Sequence, residues 1–183
     1  MRLLLAISLS VVVVTSSSLA AFDDGGPRLR PQDARLTRLL QQGAERSTTF
    51  KALVDRIEAG DVIVYLAINP MMKQAYSGML TWMTKAGDFR YVRASISPDL
   101  TPDQMIATLA HELQHAVEVV EDHAVVDEKS LVALYRRIGK QNSMTSATGW
   151  ETVAAQEAGY QVRRELVSVP ATATARAAIS SQS

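Results

Sequence analysis

Cysteine is absent from this sequence of 183 residues. No disulfide can hold the chain together, so its stability must come from a hydrophobic core. Cysteine nucleophiles and every zinc site with a thiolate ligand are excluded as well. Any catalytic or metal site in this chain must therefore be built from histidine, carboxylate, hydroxyl or other nitrogen and oxygen groups.

An excess of charge of one sign is also lacking. The chain has 19 Lys and Arg against 19 Asp and Glu, so its formal net charge is zero. Binding to nucleic acid needs a basic excess or a clustered Lys/Arg face, so we expect no nucleic-acid partner. A hydrophobic content of 47% is typical of an ordinary globular protein, for which we expect one folded domain.

The N-terminus has the pattern of a cleavable secretory signal peptide over residues 1–20. A positive charge at Arg2 precedes an apolar run over residues 3–14, and Ser18 and Ala20, with Leu19 between them, form a small-x-small cleavage site. The run is shorter than the roughly 20 residues that span a bilayer. We therefore expect a secreted or periplasmic protein with no stable membrane anchor after cleavage.

Three segments of the mature chain have the composition of strands. Residues 61–68 are rich in β-branched side chains and predict a buried strand. Residues 79–84 and 89–96 predict two more, joined by a turn-forming segment at 85–88. We expect a small and mainly antiparallel sheet.

Helical patterns surround these strands. Apolar residues spaced three and four apart predict a helix from near Ser47 to Gly60. Thr101 and Pro102 begin a long helix that runs to about Glu121, with Thr101 as the N-cap. Two further helices are predicted over residues 128–138 and 150–167, and a short one over 34–40. The predicted class is α+β. The expected division is signal peptide, flexible lead-in, folded domain and disordered tail: residues 1–20, 21–46, 47–168 and 169–183.

The long helix contains the motif HELQH at residues 111–115, with two of the three histidines in the chain. Residues four apart share a helix face, so His111 and His115 can bind one ion while Glu112 reaches a water on that ion. Two histidines and a carboxylate suit Zn²⁺ and leave a position for water, whose pKa falls to about 7. The motif predicts a zinc-dependent hydrolase in which Glu112 activates the water as general base.

With this motif and the strand, hairpin and helix that precede it, the chain resembles the zincin metallopeptidases over roughly residues 62–166. The resemblance implies a shallow cleft between a small sheet and the motif helix. Peptide substrates of that family lie extended against the edge strand of the sheet. Here the edge strand is either 79–84 or 89–96.

The resemblance also implies a third metal ligand. In one subfamily the motif continues through a Gly to a third His, but this chain has Glu118 and Glu121 at those positions. In the gluzincin group a Glu from a later helix completes the site. Glu151, at the predicted start of a helix and beside small residues, fits that role best. Glu118, Glu121 and Glu157 remain alternatives.

Other residues are candidates for supporting roles. Glu118 is either a carboxylate that accepts a ring N–H from His115 or a solvated charge. Zincins place a hydrogen-bond donor beside the oxyanion of the transition state, and Tyr135, Tyr160 and Arg163 are the candidates here.

Two functions follow from these patterns. The first is an exported zinc metallopeptidase that hydrolyses peptide or protein substrates. The alternative is a non-catalytic zincin-like binding module with a structural metal. Glu112 favours the enzyme, because a structural site gains nothing from a general base beside its ligands.

Overall fold

A computed structural model describes residues 25–72, 77–141 and 150–168 of the chain. The predicted signal peptide and the predicted disordered tail lie outside the described residues. The described part has an α+β fold, as predicted. Its elements, in chain order, are β1 Leu29–Pro31, α1 Ala34–Arg46, α2 Thr48–Glu58, β2 Val62–Ile68, β3 Gly78–Ala86, β4 Phe89–Ile96, α3 Pro102–Glu121, α4 Glu128–Ile138, β5 Lys140–Gln141, β6 Trp150–Glu151 and α5 Val153–Ser168.

The main sheet has four strands in the order β1-β2-β4-β3 and is mixed. β1 and β4 are both parallel to β2, and only β3 pairs in the antiparallel direction, with β4. The expectation of a mainly antiparallel sheet is therefore wrong. The hairpin forms as predicted, but β4 is buried along most of its length and takes an interior position. β3 is largely exposed and is left at the edge.

The expectation of a flexible lead-in over residues 21–46 is wrong from residue 29 onwards, where β1 and α1 form; the short helix predicted over 34–40 is present and extends to Arg46. Leu29, Leu36 and Leu39 are buried in the core, and the Asp33 side chain caps α1 by accepting a hydrogen bond from the backbone N–H of Leu36. A three-residue strand is too short to show periodicity, and α1 is mostly polar. Leu36 and Leu39 of α1 can be recognised as core residues only in the folded structure, where both are buried.

Helix α3 lies at the centre of the fold. Its apolar side chains Ile106, Leu109, Leu113 and Val117 are buried, and the helix packs against the sheet and the helices α1 and α2. The N-terminus has the predicted cap: the Thr101 hydroxyl accepts from the Gln104 backbone, and the Gln104 side chain accepts from the Thr101 backbone. α5 packs along another face of α3 and buries it too. Among the described helices, none combines the length and the apolar character needed to cross a bilayer.

A buried arginine anchors the other end of α3. The guanidinium of Arg90, on β4, is 1% exposed and donates to the backbone carbonyls of Val119 at 2.7 Å and Asp122 at 2.7 Å. It also pairs with both carboxylate oxygens of Asp61, at 2.5 and 2.9 Å. The last carbonyls of a helix have no hydrogen-bond partner within the helix, and the guanidinium of Arg90 supplies one. Its positive charge is also attracted to the negative end of the helix dipole.

Candidate metal centre

Three metal-ligand groups meet between α3 and the start of α5. Ligand atoms of His111, His115 and Glu151 all lie within 4.8 Å of one another. His111 Nε2 is 3.3 Å from Glu151 Oε1. Two ligands bound to one tetrahedral zinc at about 2.0–2.1 Å would lie about 3.3 Å apart. The distance between His111 and Glu151 matches this value, and the three groups, which offer nitrogen and oxygen donors, could hold a metal ion.

The sequence predicts Glu151 in the first turn of a helix, but in the structure it approaches the histidines from the strand β6. β6 pairs with β5, where Glu151 stands opposite Lys140. α5 begins two residues later because Thr152 acts as its N-terminal cap, with its hydroxyl oxygen accepting from the backbone N–H of Ala155 at 3.1 Å. The cap residue lies outside the helix, so the residue before it is extended.

Small residues allow α5 to approach α3 closely, as the sequence suggested. Ala155 and Ala158 are buried on the packed face of α5. A Cβ atom added to Gly159 would lie 3.2 Å from the carbonyl oxygen of Ala107 and 3.4 Å from Cβ of His111. The absence of a side chain at Gly159 thus brings the two helices together at the first histidine.

Glu118 is hydrogen-bonded to the His115 ring through the nitrogen Nδ1. Its carboxylate is buried, and Oε2 lies 2.8 Å from His115 Nδ1. The contact expected from the sequence is confirmed, and the solvated alternative is wrong. When Nδ1 carries the proton and donates it to Glu118, the other ring nitrogen, Nε2, has its lone pair free for a metal. Because it serves this role, Glu118 is a poorer candidate for the third ligand than Glu151.

Thr152 was not identified from the sequence. Its hydroxyl donates to Glu118 Oε1 at 2.5 Å, across 34 residues of chain. Threonine is a favoured N-cap residue, but the helix was predicted to begin at residue 150, so Thr152 fell inside it; α5 in fact begins at Val153. No local pattern predicts that Glu118 accepts its hydroxyl proton, because the two residues lie 34 positions apart in the chain.

Glu112 is buried beside the histidines. A Cβ atom added to Gly78, the first residue of β3, would collide with a carboxylate oxygen of Glu112 and would lie 2.7 Å from the methyl group of Thr108. The backbone of the edge strand therefore lies against the carboxylate. Burial raises the pKa of Glu112, and the opposing effect of His115 and His111 does not cancel it.

The pKa values of His111 and Glu151 shift in opposite directions. Burial lowers the pKa of His111, but the hydrogen bond with Glu151 and the charge of Glu112 outweigh it, so the net pKa is raised. Burial raises the pKa of Glu151, but its contact with His111 outweighs that effect and the net pKa is lowered. Both shifts express one attraction, between an imidazolium and a carboxylate in contact.

The remaining candidates for the oxyanion donor and for the third ligand differ in burial and in their distance from the cluster. The Tyr135 ring packs edge-on against His115, with centroids 5.3 Å apart, and its buried hydroxyl has no hydrogen-bond partner within the described part of the chain. Tyr160 is 66% exposed and Arg163 is also exposed.

Two of the alternative ligands lie outside the cluster: Glu121 is exposed and pairs with Arg56, and Glu157 is exposed.

Comparison with known proteins gives no relative for this arrangement. No protein-family model, curated protein or solved structure matches the chain. What this centre does must therefore be argued from its own residues.

Proposed function

We propose that this protein is a zinc-dependent hydrolase, a small metallopeptidase of the zincin type closest to the gluzincins. The observation that carries the proposal is the meeting of His111, His115 and Glu151 ligand atoms within 4.8 Å. Glu112 adjoins the first ligand on the same helix. A zinc ion held there would supply a water of lowered pKa and a Lewis acid for the scissile carbonyl.

Glu112 is the proposed general base. Its carboxylate takes the proton from the attacking water and passes it to the leaving amine. The close backbone of Gly78 limits the space open to this side chain. Such confinement favours the reaction, because a base acts efficiently only when it is held within hydrogen-bond reach of the proton it removes.

The edge strand β3 is the proposed substrate strand. Among the described strands, β4 has neighbours on both sides, whereas β3 is paired only with β4, so its other edge offers N–H and C=O groups to an extended peptide. β3 also starts beside Glu112, which brings a peptide bound there to the reacting groups. Tyr135 is the proposed oxyanion donor, since its buried hydroxyl has no partner in the described structure. The N-terminal pattern favours substrates outside the cytoplasm.

Replacing Glu151 with alanine should weaken zinc binding by more than about 100-fold, beyond the roughly 10- to 100-fold loss typical of outer hydrogen-bond partners. Glu157→Ala is the matched control, because Glu157 is an exposed glutamate nearby on α5. Zinc content after dialysis and a competition titration with a chelator measure the difference. The unchanged protein should hold about one zinc per chain.

The double variant His111→Ala/His115→Ala completes this test, since it should retain no zinc. Zinc binding that is equal in Glu151→Ala and Glu157→Ala would show that another residue is the third ligand. An unchanged protein that takes up no zinc would contradict the proposed function itself.

Gly78→Ala should slow peptide hydrolysis by about 10- to 100-fold and leave zinc affinity unchanged. The new methyl group would displace the carboxylate of Glu112, and misplacement of a reacting group by about 1 Å can cost that much. The methyl group also meets Thr108, so Gly78→Ala/Thr108→Ser relieves that contact alone. The double variant should remain slow. Recovery of its rate would mean that the conflict with Thr108, and not with Glu112, caused the loss.

A further inference from the structure

Thr152 joins the two halves of the candidate metal centre. Its side chain is buried at the point where the chain leaves β6 and enters α5. The hydroxyl donates to Glu118 on α3, at 2.5 Å, and accepts from the backbone N–H of Ala155, at 3.1 Å. One hydroxyl proton and one lone pair are thus used, which is a combination that serine or threonine can supply.

Glu118 depends on this hydroxyl. A buried carboxylate must be hydrogen-bonded, because leaving an acceptor unpaired away from water is costly. In the described part of the chain its partners are His115 Nδ1 on one oxygen and Thr152 on the other. The hydroxyl therefore fixes the orientation of the carboxylate that orients His115.

Thr152 also restrains the third candidate ligand. Glu151 precedes it by one peptide bond, in a strand of only two residues. Because Thr152 is tied to α3 through Glu118 and to α5 through Ala155, the backbone of Glu151 has little freedom to move away from the histidines.

We infer that Thr152 is a positioning residue of the metal centre, which aligns His115 through Glu118 and holds Glu151 through the backbone. This inference rests on the proposed metal site. A purely structural role as the cap of α5 would leave metal affinity unaltered as long as the protein stays folded. Zinc affinity therefore distinguishes the two roles.

The experiment compares Thr152→Val and Thr152→Ser in the mature protein. Valine keeps the shape and loses the hydroxyl, and we expect zinc affinity to fall by about 10- to 100-fold, the usual effect of losing an outer partner of a ligand. Serine keeps both hydrogen bonds and should bind zinc within about threefold of the unchanged protein. Affinity is measured by competition with a chelator, beside circular dichroism and the thermal midpoint.

Asp33→Ala is the matched control for loss of a helix cap. Asp33 caps α1 with the same type of bond, at 2.8 Å to the backbone N–H of Leu36, and belongs to no part of the metal centre. It should lower the thermal midpoint and leave zinc affinity unchanged.

Glu118→Gln and the double variant Glu118→Gln/Thr152→Val test the route. If Thr152 acts through Glu118, the two losses will be far from additive, because residues in one hydrogen-bond network share their effect. Should valine unfold the chain, the serine and Glu118→Gln variants still test the network, with serine near normal and glutamine weaker. Unchanged affinity in a folded Thr152→Val variant would overturn the inference and leave the proposed zinc site standing. Failure of the unchanged protein to bind zinc would overturn both.

Discussion

Glu112→Gln is expected to reduce peptide hydrolysis by about 100- to 10,000-fold while zinc remains bound, because glutamine keeps the shape of the side chain and cannot accept a proton. Glu112 is absent from the cluster of ligand atoms, which contains His111, His115 and Glu151. Loss of its charge should therefore alter the reaction and not the metal content. The rate is measured as kcat/KM on a quenched-fluorescence peptide library with zinc in excess.

Glu121→Gln is the matched control for this prediction. Glu121 lies on the same helix, and its exposed side chain pairs with Arg56 at the surface. Exposed ion pairs contribute little, so this variant should hydrolyse peptides at the normal rate. An unchanged protein that binds zinc without hydrolysing any peptide would favour the non-catalytic binding module. Equal rates for Glu112→Gln and the unchanged enzyme would exclude Glu112 as the base.

Arg90→Met is expected to lower the free energy of unfolding by about 2–5 kcal/mol, because each buried carbonyl left without its donor costs about 1–3 kcal/mol. The substitution leaves Asp61 without its cation. It also removes the donor to the carbonyls of Val119 and Asp122, at the end of the helix that carries the motif. A domain of this size is stable by only about 5–15 kcal/mol, so the loss is a large part of the total.

Urea unfolding checks this prediction through the midpoint, with the slope expected to stay constant. Arg93→Met is the control, since Arg93 is an exposed arginine on the same strand and such substitutions usually change stability by less than about 0.5 kcal/mol. Similar midpoints for the two variants would mean that Arg90 contributes little to the stability of the fold.

Several features of this protein follow from local sequence. The bounds of β4, α3 and α4 match those predicted, because the turn residues before β4, the cap residue of α3 and the glycine after α4 are signals carried by neighbouring residues. The same holds for the motif, since helical spacing alone places His111 and His115 on one face. The contact between His115 and Glu118, three residues apart, is local as well.

Other features were decided by the tertiary structure. The place of β4 inside the sheet and of β3 at its edge depends on which strand the core can bury on both faces. The sequence predicted only the first half of α1, over residues 34–40, because the second half is polar and its helical form depends on packing against the core.

The assembly of the candidate metal centre was decided in the same way. Glu151 meets His111, and Thr152 meets Glu118, only because α5 packs on α3 through small residues. The sequence alone determined which residue types could hold a zinc ion and take a proton from a water molecule. The packing of α5 on α3 determined which carboxylate and which hydroxyl lie beside the two histidines and Glu118, since no local pattern encodes a contact over that separation.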